Sequence, residues 1–169
     1  MFDGMLIEAR YWGANGHLIQ DKSKLKPAAV DILCQNVEGG ALSASKTSGC
    51  NFVGINLDGH LRGQRPRVVK AVVAGFDVLG CVHWEHESVA DDKLCWVRIF
   101  GWHDYALILG HASLALGYPV TIAGGAAGVG TYSATPYAQA VAGFMREAYT
   151  TTSNAPKRVD LRNPRGLIF

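Results

Sequence analysis

Apolar residues in this chain gather in short runs cut by glycine, proline and small polar residues, a pattern that predicts strands and turns. Residues 50–59, CNFVGINLDG, alternate well enough for a strand that ends on the Asp58-Gly59 turn signal. Residues 68–84 form a long β-branched run containing Gly75 and Gly80, which predicts bulges or bends of the kind found in a curled sheet or barrel. Residues 93–110 read as strand, bend, strand. Leu94, Trp96, Arg98 and Phe100 alternate there with Cys95, Val97 and Ile99, so both faces should be buried or held at a subunit contact. Residues 111–125 turn into another short strand, and GGAAGVG (124–130) reads as a flexible tip.

The final third carries the longest organising pattern. Two β-like runs, 140–150 and 157–169, are joined by the small polar loop TTSNAP and close on an NPRG turn at 163–166. The first run is echoed earlier: AVVAGFDVL (71–79) and QAVAGFMREA (139–148) share Val-Ala-Gly-Phe, and a second β-branched stretch follows each. The echo is consistent with two related hairpins and equally with chance. The front of the chain is less regular. Residues 1–20 show weak strand patterning broken by GANG at 13–16, and 27–37 fit a strand or a helical turn. Residues 38–49 are small and polar, as an exposed loop or flexible arm would be, and Pro66 argues against a central strand over 61–67. The expectation is a mainly β chain: a single compact β-barrel or β-sandwich-like core domain over 71–169, preceded by an irregular N-terminal arm or subdomain over 1–70.

Composition narrows the function classes. The 169 residues are 49% hydrophobic and 18% charged, with 20 glycines, which excludes disorder for most of the chain and favours strands over helical bundles. A formal charge of +2 is too small a footprint for nucleic acid, although basic residues cluster at 61–70, including Arg62, Arg65 and Arg67, and again at 156–165. No apolar run reaches the ~18 residues that span a bilayer, so no membrane association is expected. The opening MFDGMLIEAR lacks a basic-then-apolar signal pattern, which predicts cytosolic synthesis and reduced thiols for Cys34, Cys50, Cys81 and Cys95.

Candidate chemistry is sparse. Cys81, His83, His86 and Cys95 are residue types that ligate zinc, but their spacing fits no common zinc pattern, and all four converge only if the chain bends at Glu85. The plainer expectation is a core Cys81 with histidines near a hairpin turn. The 124–130 tip lacks the Gly-Lys-Ser/Thr ending of a phosphate loop, and no helix start follows it. Ser113 and Ser133 sit in no nucleophile elbow, and His103-Asp104 would face opposite sides of a strand. Glu85, Glu87, Asp91 and Asp92 look like a solvated turn. No cofactor or catalytic residue is therefore expected. Trp84, Trp96, Trp102, Tyr105 and Tyr118 crowd the middle of the chain, as sheet packing or as a contact patch where Trp, Tyr and Arg are favoured.

From about residue 71 onwards the chain resembles the small capsid decoration, or cement, proteins of tailed bacteriophages. The likeness lies in VRIFGWHDYALILG, the entry ALGYPVTIAGG, the glycine-rich tip, AVAGFMREAYTTTS and the final RVDLRNPRG, with Gly117-Tyr118-Pro119 where the family often has Gly-Asp. That resemblance implies a mainly β, often trimeric, non-enzymatic virion protein without metal or cofactor. It would be made in the host cytoplasm and bind the outside of the head, clamping neighbouring major capsid subunits. Contacts would then fall to the N-terminal segment and to Arg62, Arg65 and Arg67 on the capsid side, and to Trp84, Trp96, Trp102 and Tyr105 between subunits. Two alternatives stay open: a metal-binding or enzymatic β-barrel using Cys81, His83, His86 and Cys95, and an adhesin-type β-module that binds a surface glycan through exposed aromatics.

Overall fold

A computed structural model describes residues 5–20, 27–59, 62–72, 78–85, 87–136 and 141–162. These residues form thirteen strands and no α-helix, all linked into one hydrogen-bonded sheet. The chain is mainly β, as its sequence predicts.

The sheet is organised around one strand near its middle. It is the ninth in chain order, β9 (Leu94–Leu109), 16 residues long. Two pairing paths leave β9 and return to it. In the first, β9 pairs antiparallel with β2 (Ala29–Asn36); β2 continues to β6 (Arg67–Lys70), β5 (Phe52–Ile55) and β7 (Val78–Val82), and β7 closes back on β9. In the second, the later half of β9 meets β11 (Gly130–Thr131). The path then runs through β10 (Pro119–Ile122) and β12 (Gly143–Met145) to β13 (Asn154–Leu161), which pairs with β9 over most of its length. Two five-strand circuits thus share one strand. β1 (Ala9–Trp12) extends the first circuit by pairing with β2, and the short β3 (Leu42–Ser45), β4 (Gly49–Cys50) and β8 (Ser88–Val89) lie off the main path.

Two apolar clusters largely follow the two circuits, although Phe52 of β5 and Val78 and Cys81 of β7 pack into the second. Val30, Ile32, Cys34, Leu42, Val53, Val68, Leu79, Val82, Val97 and Ile99 pack in the first; Phe52, Ala106, Ile108, Leu114, Val120, Ile122, Met145, Val159 and Leu161 pack in the second. The bend expected inside 93–110 sits at Gly101, whose φ of 88° is open to glycine and strained for other residues. A Cβ there would overlap the Ala28 carbonyl oxygen and lie 2.6 Å from the Ala29 Cα, so β2 can approach β9 only at a glycine. The predicted irregularity around Gly80 is present too. Val53 faces Gly80 while Gly54 faces Val78, leaving Leu79 as the extra residue of a bulge.

Several expectations need correction. Residues 38–49 are not an exposed arm: they contain β3, with Leu42 and Ala44 fully buried, because this small polar stretch pairs with β4 and β8 and covers the first cluster. The glycine-rich tip is a tip only over 124–127. Gly128, Val129 and Gly130 are buried, and a Cβ on Gly130 would crowd Phe52, Ile108 and Val120. The run 140–150 yields just the three-residue β12 among its described residues. Within 27–37, read as strand or helical turn, Ala29–Asn36 form strand β2, in keeping with the first option; strands from before and after residue 70 share the one sheet. The first copy of the Val-Ala-Gly-Phe echo and the NPRG turn lie outside the described residues.

Candidate functional site: an aromatic recess over a buried ion pair

The chemistry-bearing side chains converge on the outer face of the first circuit, at its junction with the second. β2 is apolar on its inner face, with Val30, Ile32 and Cys34 packed in the cluster, so Asp31 must point outwards. β9 obeys the same alternation, sending Val97 and Ile99 inwards and Trp96 and Arg98 outwards. The register places Asp31 opposite Arg98. Both are fully buried all the same, because β1 and the segment after β7 lay indole rings over them.

Asp31 is saturated. Its carboxylate accepts from Arg98 Nε at 2.6 Å and Nη2 at 3.3 Å, from Arg10 Nε at 2.8 Å and from Trp12 Nε1 at 2.7 Å. Burial pushes the Asp31 carboxyl up, and the Arg98 hydrogen bond and charge, helped by His83 and Arg10, more than offset this and hold its pKa below the usual carboxylate range. Arg98 spends its remaining reach on the Trp102 carbonyl oxygen, donated from Nη1 at 2.8 Å. Its guanidinium carbon sits 5.4 Å from the Trp12 ring centre and 5.3 Å from those of Trp84 and Trp102, within cation–π range of all three. Arg10 lies 4.4 Å from the Trp96 ring centre and forms an ion pair with Glu85 at the rim.

His83 completes the cluster. Its ring stacks on Trp84 with centroids 4.0 Å apart and lies nearly parallel to Trp12. Neither ring nitrogen has a hydrogen-bond partner among the described residues, although the ring is buried. Burial depresses its pKa to about 3, so the imidazole is neutral at neutral pH. His103 is also pushed by burial to about 3, but it is satisfied: Nε2 meets the Val82 carbonyl oxygen at 2.9 Å, and its ring meets Trp84 edge-on. Trp12, Gly16, His83, Trp84, Arg98 and Trp102 line an open recess of about 260 Å³. Trp84 also borders a second hollow, of about 390 Å³, beside Ser45, Lys46, Thr47 and Glu87.

The predicted contact residues therefore divide. Trp84 and Trp102 line the recess, Tyr105 meets Trp84 edge-on at 5.1 Å, and Trp96 stands next door against Arg10. The basic loop lies elsewhere and is partly spoken for: Arg65 pairs with Glu8 at 3.0 Å, Arg67 donates to the Asp58 carbonyl oxygen, and Arg62 is exposed. The zinc-type residues do not share one place. Cys81 packs in the second cluster beside Cys50 and Cys95 in the first opposite Cys34, while His86 lies outside the described residues. Among the described residues no three His, Cys, Asp or Glu side chains come together as a metal group. All four thiols are free and buried. Burial pushes Cys50 and Cys95 up to about 12 and raises Cys34 and Cys81 well above the ordinary value, which leaves them unreactive.

Asp31, Arg98, Arg10 and Trp12 do not stand out by sequence motif. A usable signal is nevertheless present: one acid inside PAAVDILC and one base inside LCWVRIF, opposite charges in otherwise apolar strands, which burial compels to pair. No family model, curated protein or solved structure matches this chain.

Proposed function

We propose that the chain is a capsid decoration protein of a tailed bacteriophage, a non-enzymatic trimer that binds the exterior of the icosahedral head and bridges major capsid subunits. In this reading the two circuits are two small barrels fused through β9, a rigid body suited to clamping. The observation that carries the proposal is the state of the groups able to do chemistry. Asp31 is filled by four donors, both buried histidines are neutral, and the thiols are raised out of the reactive range. Such a site holds shape and makes contacts; it is poorly placed to move protons or attack a substrate. Exposed apolar side chains, Leu116 at 70%, Leu57 at 59%, Leu94 at 46% and Phe100 at 44%, supply points for repeated shallow contacts, which add by avidity over a symmetric shell.

The solution mass of the purified 18.1 kDa chain, followed by light scattering through dilution, is the first test. A stable trimer that also co-sediments with emptied, undecorated heads is the expected outcome. A monomer that fails to bind such heads overturns the proposal.

A further inference from the structure

The recess beneath the indoles contains an unspent recognition group. His83 is 6% exposed, and neither ring nitrogen makes a hydrogen bond among the described residues, Glu85 Oε1 standing 3.7 Å from Nδ1; Asp31, Arg98 and Trp12 beside it are hydrogen-bonded, while Arg10 Nη2 is not. A buried polar group left unpaired is destabilising, so an occupant that satisfies it is favoured. We infer that this recess binds one neutral pyranose ring of a glycan.

Three observations select that chemistry. The charges within and at the rim of the site cancel, Arg10 and Arg98 against Asp31 and Glu85, so neither an anion nor a cation gains from entering. The walls are the rings of Trp12, Trp84 and Trp102, flat apolar surfaces against which the C–H face of a sugar can lie, and the volume of about 260 Å³ suits a single ring. Both nitrogens of neutral His83 are closed off from the recess as the ring stands, so binding requires the ring to turn; a sugar hydroxyl, which both donates and accepts, then answers whichever nitrogen is presented. A prolyl peptide, the other ring-shaped neutral candidate, presents a carbonyl acceptor but no N–H at the ring, and would leave the imidazole lone pair unpaired. The second hollow across Trp84, with Ser45, Lys46, Thr47 and Glu87 on its border, gives a following sugar residue polar partners. The recess thus points to the middle or end of a chain of sugars. This inference is independent of the capsid reading and stands or falls without it.

The test is an NMR titration of the ¹⁵N-labelled protein with the methyl glycosides of glucose, galactose, mannose and N-acetylglucosamine, followed by their disaccharides. The four tryptophans give a built-in control. With a sugar that binds, the indole signals of Trp12, Trp84 and Trp102 move saturably, that of Trp96, outside the recess, stays, and a matching disaccharide binds more tightly than its monosaccharide. His83→Leu, which keeps the apolar packing, weakens binding about tenfold, the upper range for one hydrogen bond. Gly16→Trp supplies a second variant. Gly16 lies on an exposed turn with nothing near its Cβ position, so the added ring narrows the mouth from a site remote from the core. Its positive φ is strained in any other residue, so its thermal unfolding is compared first. No saturable shift with any of these sugars overturns the inference. So does movement of Trp96 equal to the rest, or binding that survives unchanged in both variants.

Discussion

The two circuits sharing β9 use the same strand in opposite ways. In the first, the inner face of β9 is ordinary core, while the outer face carries a buried Arg98 that demands Asp31, three indoles and a turn of backbone carbonyl. In the second, Ala106 and Ile108 pack inwards, and the fit depends on missing side chains. A Cβ on Gly110 would overlap the Thr151 carbonyl oxygen, and one on Gly143 would come within 2.7 Å of the Asp160 carbonyl oxygen. Both halves depend on close approach of backbones at glycines, Gly80 and Gly101 in the first and Gly110 and Gly143 in the second, and the first adds polar complementarity. Polar complementarity is the more demanding of the two, since each partner removed strands another in a place water cannot reach.

The largest expected effect follows directly. Asp31→Ala leaves Arg98 charged and unpaired in a buried site, and should destabilise the fold by about 3–5 kcal/mol in urea unfolding. The paired replacement Asp31→Leu with Arg98→Met removes that pair but leaves Arg10 Nε and Trp12 Nε1 without their acceptor, so it should recover only part of the loss. If the double variant is no more stable than Asp31→Ala, the ion pair is not what distinguishes the first circuit. On the second circuit Met145→Ala should cost about 2–5 kcal/mol through its cavity, with no neighbour whose replacement rescues it.

These contrasts explain what the sequence disclosed. Strand content was legible because alternation and glycine spacing are local, and the bend at Gly101 and the bulge beside Gly80 were foreseen in kind for the same reason. The central role of β9 was not, because a continuous 16-residue strand bent at a glycine looks locally like two strands and a turn. Residues 38–49 misled for a related reason: their polarity is that of a loop, yet Leu42 and Ala44 find their apolar partners far along the chain. Half of the site was visible as a crowd of aromatics. Its ion pair was not, because Asp31 and Arg98 are 67 residues apart and register, not spacing, brings them together.

A middle-sized effect separates the circuits by pH. His83 and His103 both border the first circuit's outer face, and both have folded pKa values lowered to about 3 by burial, against about 6.5 when unfolded. Between those values the unfolded chain binds protons that the folded chain refuses, so stability falls as pH drops from about 6.5 towards 3. The slope is about 1.4 kcal/mol per pH unit for each histidine at full protonation of the unfolded state. Asp31, lowered in the folded state, adds a further loss only below about pH 4, where the unfolded carboxyl takes up its proton. Unfolding midpoints at pH 7, 6, 5 and 4.5 for the wild type and for His83→Leu test this. The variant should show about half the acid sensitivity, and an unchanged slope would mean that His83 is already charged in the folded protein.

The smallest effect concerns Arg62 and Arg65, on the loop that leads into β6. Arg65 and Glu8 pair at 3.0 Å with side chains 33% and 52% exposed, so water and salt screen them and two flexible side chains must be held still. Arg65→Ala should therefore change unfolding stability by less than about 1 kcal/mol, and less again in high salt. Exposed Arg62 should matter still less to the fold. A double variant lacking both arginines then becomes an informative probe of the capsid proposal, because its fold is intact. Loss of head binding in co-sedimentation, with the unfolding curve unmoved, would assign this loop to the partner. Unaltered binding would shift the contact to the exposed apolar residues, of which Leu94 and Phe100 stand on β9 itself.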